Sequence, residues 1–89
     1  GDGFADIVFA SGVGSRRIGV VIEIKRCDKP EDMYDFAEAA LKQIRDKHYT
    51  ERLDKLRCGK KYVYGIAFCR KDCAVMGGDE ATEWPRFQG

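Results

Sequence analysis

The sequence has few of the features that mark a membrane, secreted or zinc-binding protein. None of its apolar runs approaches the roughly 20 residues that a membrane-spanning helix needs, and no stretch resembles a signal peptide. Its four cysteines include no Cys-x-x-Cys pair, which disfavours a zinc site and a disulfide framework. The spacing is typical of scattered cytosolic thiols, so we expect a cytoplasmic protein.

A strong charge of either sign is also missing. The net charge is +1 although 35% of the residues are charged, so composition gives no global preference for nucleic acid or for membranes. With 89 residues the chain can form at most one small domain. It starts at Gly1 without Met and enters a predicted strand within a few residues, so we expect a fragment of a longer protein.

The stretch from residue 19 to residue 25 is the most informative part of the chain. Four of the five residues from Val20 to Ile24 are apolar, which predicts a strand buried on both faces of a sheet. Glu23 and Lys25 are two residues apart and therefore project from the same face. Burying such charges costs several kcal/mol each unless they are paired or bound to a metal ion.

The rest of the chain predicts an α/β (α+β) domain with the element order β-β-α-β-β. Residues 4–10 and 17–25 read as an antiparallel hairpin, followed by a helix that starts near Pro30 and covers one face of a mixed sheet. A short helix over residues 49–56, a strand over 62–68 and an edge strand over 73–76 follow. We assign residues 1–76 to the domain and residues 77–89 to a tail.

Asp6 and Glu23 lie on neighbouring strands of this predicted hairpin. Their carboxylates and the main-chain carbonyl of Ile24 supply hard oxygen ligands of the kind that Mg²⁺ or Mn²⁺ takes. Lys25, on the face of Glu23, is placed to orient a water molecule or to stabilise developing negative charge. The alternative is a Glu23–Lys25 ion pair at the solvated end of the strand, with Asp6 as an ordinary residue at a strand start.

In this order, Asp6, Glu23-Ile24-Lys25 and Gln43 resemble the PD-(D/E)XK nuclease superfamily. The similarity is greatest to the nuclease-like domain that lies C-terminal to AAA-ATPase-like domains in many uncharacterised bacterial proteins. Four stretches carry it, namely residues 1–8, 21–25, 39–49 and 64–68.

This resemblance implies a restriction-endonuclease-like core whose opening helix is absent from the chain. It implies that Asp6 and Glu23 bind Mg²⁺ or Mn²⁺, that Lys25 is the catalytic lysine, and that Gln43 approaches the active site from the helix. Tyr49 is a weaker companion of Gln43. The implied activity is an endo- or exonuclease acting on DNA rather than RNA, with an AAA-ATPase-like domain in the same parent chain.

Two further readings stay open. Residues 42–61 contain eight of the sixteen Lys and Arg residues, which indicates either a surface that tracks a nucleic-acid backbone or a solvated helix face. The domain is alternatively a catalytically inactive module for nucleic-acid binding or protein interaction. Without its opening helix it is expected to expose an apolar sheet face and to self-associate.

Overall fold

The computed structural model describes residues 3–88, with side chains from residue 6 onward. Gly1 and Asp2, which belong to the first stretch of similarity, and Gly89 lie outside these residues. The elements in chain order are β1 (Gly3–Ser11), a 3-10 turn (Gly14–Arg16), β2 (Ile18–Arg26), a 3-10 turn (Pro30–Asp32), α1 (Met33–Asp46), α2 (Glu51–Lys55), β3 (Lys60–Cys69), β4 (Asp72–Asp79), α3 (Glu80–Glu83) and a 3-10 turn (Trp84–Phe87).

The four strands form one mixed sheet in the order β1-β2-β3-β4. β1 pairs with β2 in antiparallel fashion, β2 with β3 in parallel, and β3 with β4 in antiparallel fashion again. The predicted mixed sheet and the order β-β-α-β-β are therefore confirmed, with α1 and α2 forming the crossover between the parallel strands. β1, β3 and β4 are longer than predicted because the ladder extends into turn-flanking residues that carry no apolar signal, whereas β2 has the predicted length and is shifted by one residue.

The helices cover one face of the sheet. α1 packs over β2, β3 and β4, while Leu53 of α2 packs against the β2 end of the same face. The core between the layers consists of fully buried apolar side chains, namely Val21, Leu41, Ile44, Leu53 and Val63. Gly65 permits this close packing, since a Cβ at Gly65 would lie 2.1 Å from the carbonyl oxygen of Ala37.

The opposite face of the sheet carries apolar side chains that no element within residues 3–88 covers. Ile7, Phe9, Ile18 and Val75 are 42%, 45%, 37% and 52% exposed. Ile22 and Ile24 on the central strand β2 are only half-buried. Val20 on this face is buried, so the prediction that the strand is buried on both faces holds there and is wrong at Ile22 and Ile24. An apolar run does not show whether a second layer is present.

The C-terminal segment folds onto the helix-covered face, and it is not an extended tail. β4 runs to Asp79, whose carboxylate accepts a hydrogen bond from the main-chain N–H of Ala81 and so caps α3. Trp84 and Phe87 then pack against the core. The domain boundary at residue 76 stays a prediction. None of the helices between residues 3 and 88 is long and apolar enough to cross a membrane.

Candidate metal and active site

The β1–β2 hairpin places two acidic side chains next to each other. Asp6 lies directly opposite Glu23 in the antiparallel ladder, and directly opposed residues project from the same face of a sheet. Glu23 alternates with the core residue Val21, so both acids lie on the face that carries the helices. A bulge in β1 between Gly3 and Ala5 lies just before Asp6, at the end of the regular pairing.

Glu23 is the most unusual polar residue of the site. It is only 4% exposed, and its Oε2 atom is buried without a hydrogen-bond partner in the part of the chain that the structure describes. Burial and the neighbouring Asp6 charge raise the pKa of Glu23, while the charges of Lys25 and Lys47 oppose that rise. A buried acid with a purely structural role normally has hydrogen bonds that offset the cost of its burial. Among the described residues, Oε2 of Glu23 has none.

Lys25 lies two residues after Glu23 on the same face of β2 and is half-buried. Its charge acts on Glu23, but no salt bridge joins the two side chains within residues 6–88. The alternative interpretation, a simple Glu23–Lys25 ion pair, therefore has no direct side-chain contact to support it within residues 6–88. Ile24 pairs with Ala5 beside the bulge, and its carbonyl stays a predicted metal ligand.

Gln43 approaches from α1. It is half-buried beside the apolar stripe of the helix, and it lies one helical turn before Lys47, whose charge acts on Glu23. Within residues 6–88 the Gln43 side chain forms no hydrogen bond with Asp6 or Glu23. Tyr49 is half-buried, with its ring packed against the core beneath α1. The catalytic roles of Asp6, Glu23, Lys25 and Gln43 stay predictions.

The structure brings two further cations, Lys47 and Arg52, to the site. In the sequence analysis they were counted only as members of the basic stretch over residues 42–61. Lys47 is close enough to lower the pKa of Glu23, and the Arg52 guanidinium lies 3.9 Å from the Asp6 carboxylate. The position of Lys47 could have been predicted from the sequence, because Lys47 follows Gln43 by four residues and such residues lie on the same side of a helix. The position of Arg52 depends on the turn between α1 and α2, which the sequence does not specify.

The donor set fits a hard divalent cation. The carboxylates of Asp6 and Glu23 would hold the ion, with Oε2 of Glu23, which lacks a hydrogen-bond partner within residues 6–88, as the available ligand. Residues 6–88 bring together no group of three or more His, Cys, Asp or Glu side chains. Mg²⁺ suits such a pair of acids, since it commonly keeps several waters and takes one or two protein carboxylates.

Comparison with known proteins assigns the chain to a family. The chain matches the PD-(D/E)XK nuclease superfamily over residues 1–77, and it belongs to that superfamily. Nucleases of this class typically depend on a divalent metal ion. No curated protein and no solved structure matches the chain significantly. The restriction-endonuclease-like fold predicted from the sequence is therefore supported by both the sheet and the family match.

Proposed function

We propose that the chain is a metal-dependent nuclease domain that hydrolyses phosphodiester bonds in DNA, with Mg²⁺ or Mn²⁺ held by Asp6 and Glu23. One observation carries the proposal. In a chain of this superfamily, a nearly fully buried Glu23 faces a second carboxylate, and its Oε2 atom has no hydrogen-bond partner among the described residues. A divalent ion held by Asp6 and Glu23 would offset the repulsion between the two acids and would compensate the burial of the Glu23 carboxylate.

Each side chain of the site has a distinct task in this reaction. The ion, when bound, supplies a Lewis acid for the scissile phosphate. Lys25 stabilises the negative charge that develops on the phosphate oxygens and orients the attacking water from the face of Glu23. Gln43 contacts the substrate backbone from α1, and the Ile24 carbonyl completes the protein oxygen ligands. The resemblance to nuclease-like domains of this kind also supports the proposal of an AAA-ATPase-like domain in the same parent chain.

Cleavage of plasmid DNA in Mg²⁺ or Mn²⁺ tests the activity. Lys25→Ala should reduce the cleavage rate by about 100-fold, as loss of one charge-stabilising group does, and should leave Mn²⁺ binding intact. Lys71→Ala, in the turn between β3 and β4, is the matched control and should cleave like the wild type. Metal-dependent cleavage that is equal in wild type and Lys25→Ala would contradict the proposal.

A second candidate function is a protein-interaction module that self-associates. The observation that favours it is the uncovered apolar sheet face with Ile7, Phe9, Ile18 and Val75. This function does not require a metal ion or catalysis. It predicts a concentration-dependent dimer whose formation is unaffected by Asp6→Ala.

A further inference from the structure

Lys47 and Arg52 share one aromatic support at the edge of the acid pair. The Lys47 ammonium lies 5.9 Å and the Arg52 guanidinium carbon 5.6 Å from the centre of the Tyr49 ring. Tyr49 itself is half-buried and packs against the core, so the two cations rest on an anchored surface. Both side chains belong to exposed residues, and Arg52 also lies beside Asp6.

Stability does not explain this arrangement. The Arg52–Asp6 separation of 3.9 Å is beyond hydrogen-bond range, and the two side chains are 62% and 39% exposed. Exposed pairs of this kind contribute about 0–1 kcal/mol. Asp6 thus holds Arg52 only weakly, and a second anion can displace it.

Four of the other six basic residues in the stretch from 42 to 61 show a different pattern. Lys42 and Arg45 lie over the Phe87 ring, and Arg45 also donates a hydrogen bond to the Phe87 carbonyl. Lys60 pairs with Asp79, and Lys61 pairs with Asp54 and Glu80. These four cations contact residues 79–87 at the C-terminal end of the fold, whereas Arg52 lies beside Asp6 and the charge of Lys47 lowers the pKa of Glu23.

The charges at the site favour an anionic ligand. Asp6 and Glu23 supply two negative charges, while Lys25, Lys47 and Arg52 supply three positive charges before any metal ion is counted. A divalent cation on the two acids would leave these three basic side chains without a counter-charge among residues 6–88. A guanidinium fork and an ammonium are suited to phosphate oxygens.

We propose that Lys47 and Arg52, supported by Tyr49, form a binding site for the DNA backbone phosphates next to the scissile bond. Arg52 pairs with Asp6 in the metal-free state and transfers to a phosphate when the divalent ion neutralises Asp6. Metal and DNA binding are therefore coupled through Arg52, and each strengthens the other. This inference rests on the proposed function, since it places the substrate at the same acid pair.

Fluorescence anisotropy with a short labelled DNA duplex tests the binding site. The variants are Lys47→Gln and Arg52→Gln, with Lys55→Gln as the matched control because Lys55 is an exposed cation of the same helix as Arg52. In Ca²⁺, each of the first two should weaken binding on the order of tenfold, as expected for loss of one charge-assisted contact. Each should also lower the slope of log K against log salt by about one.

The coupling between metal binding and DNA binding is measured as the effect of Ca²⁺ on DNA affinity. Ca²⁺ should raise the DNA affinity of the wild type and of Lys55→Gln severalfold, and should raise that of Arg52→Gln much less. Equal DNA affinities, salt slopes and Ca²⁺ effects in Arg52→Gln, Lys47→Gln and the control would overturn the inference. Thermal melting of each variant shows whether it is folded, and we expect unchanged midpoints because both side chains belong to exposed residues.

Calorimetry with Mn²⁺ alone separates this inference from the proposed function. If the wild type binds Mn²⁺ and the two variants bind DNA like the control, the phosphate site is wrong and the metal site stands. If the wild type binds no Mn²⁺ but both variants lose DNA affinity, the phosphate contacts stand, and the metal-dependent function and the Arg52 coupling are wrong.

Discussion

At the scale of single residues, the energetics of the site are dominated by one buried carboxylate. Glu23 is packed among core residues, faces Asp6 and has an oxygen without a hydrogen bond in the described part of the chain. Such a group lowers the stability of the metal-free fold, since both burial and the like charge disfavour ionisation. Functional sites commonly retain residues of this kind at a cost in stability.

Glu23→Gln should therefore stabilise the metal-free protein at neutral pH. The folded-state pKa of Glu23 lies above 4.5, so between 4.5 and that raised pKa the folded state binds more protons than the unfolded state. Stability falls as pH rises through this window and stays reduced above it. Removing the charge should restore roughly 1 kcal/mol, or about 4–8 °C in melting temperature for a domain of this size.

The measurement is a series of thermal melts from pH 4 to pH 8 in a metal chelator. The difference between Glu23→Gln and wild type should grow with pH and then level off. Asp72→Asn, an exposed acid at the start of β4, is the control and should track the wild type. A variant that is less stable than the wild type at pH 8 would contradict this explanation of Glu23.

The sequence predicts part of the site at this scale. The predicted antiparallel hairpin was sufficient to place Asp6 and Glu23 on neighbouring strands, where the structure pairs them. Arg52 was not placed, because its position depends on the turn after α1, in which His48 adopts a left-handed backbone with φ of 56°. A non-glycine residue in that conformation is uncommon, and nothing in the sequence specifies it.

At the scale of elements, the distance between α1 and the sheet depends on Gly65. The residue lies on β3 opposite Glu23 in the parallel ladder, directly beneath Ala37 and Leu41 of α1. A Cβ there would lie 2.1 Å from a helix carbonyl oxygen and 2.6 Å from a helix nitrogen, both of them main-chain atoms. Because main-chain atoms of a helix cannot rotate away, α1 would have to move from the sheet.

Gly65→Ala should lower the free energy of unfolding by about 2 kcal/mol or more, which is in the range for overpacking a core. The measurement is urea unfolding followed by circular dichroism. Gly14→Ala is the control, since Gly14 has a left-handed φ of 61° and open space around it. It should cost only about 1 kcal/mol of backbone strain. Equal losses in the two variants would show that α1 does not need this close approach.

The C-terminal segment shows where sequence patterns fail at the element scale. Residues 80–87 form only short helical turns, and elements of that length have no periodicity to read. Their position depends instead on long-range contacts such as the Arg45 hydrogen bond to Phe87 and the packing of Trp84 on the core. The strands β2 and β3, in contrast, were predicted because each contains its own apolar run.

At the scale of the whole molecule, the structure has two layers, with a shortest extent of 19 Å. A sheet and one helical layer account for that thickness. The uncovered sheet face spans four strands and so has a plan area of roughly 500 Å². Two such faces together approach the roughly 1,000 Å² that a specific interface requires.

We therefore predict that the chain self-associates at micromolar concentration through this face. Phe9→Glu, at 45% exposure on the open face, should shift the weight-average mass in light scattering towards the monomer. Tyr34→Glu is the control, since Tyr34 is a 68% exposed aromatic residue on α1. A wild type that is strictly monomeric at high concentration would contradict the prediction.

The central claim is that Asp6 and Glu23 together bind a divalent cation, and Mn²⁺ titration calorimetry at pH 8 tests it most directly. The wild type should bind one Mn²⁺ ion, and both Asp6→Ala and Glu23→Ala should abolish that binding. Asp72→Ala, in the edge strand β4, should bind like the wild type. Unchanged Mn²⁺ binding in either Asp6→Ala or Glu23→Ala would contradict the claim, and so would a wild type that binds no Mn²⁺.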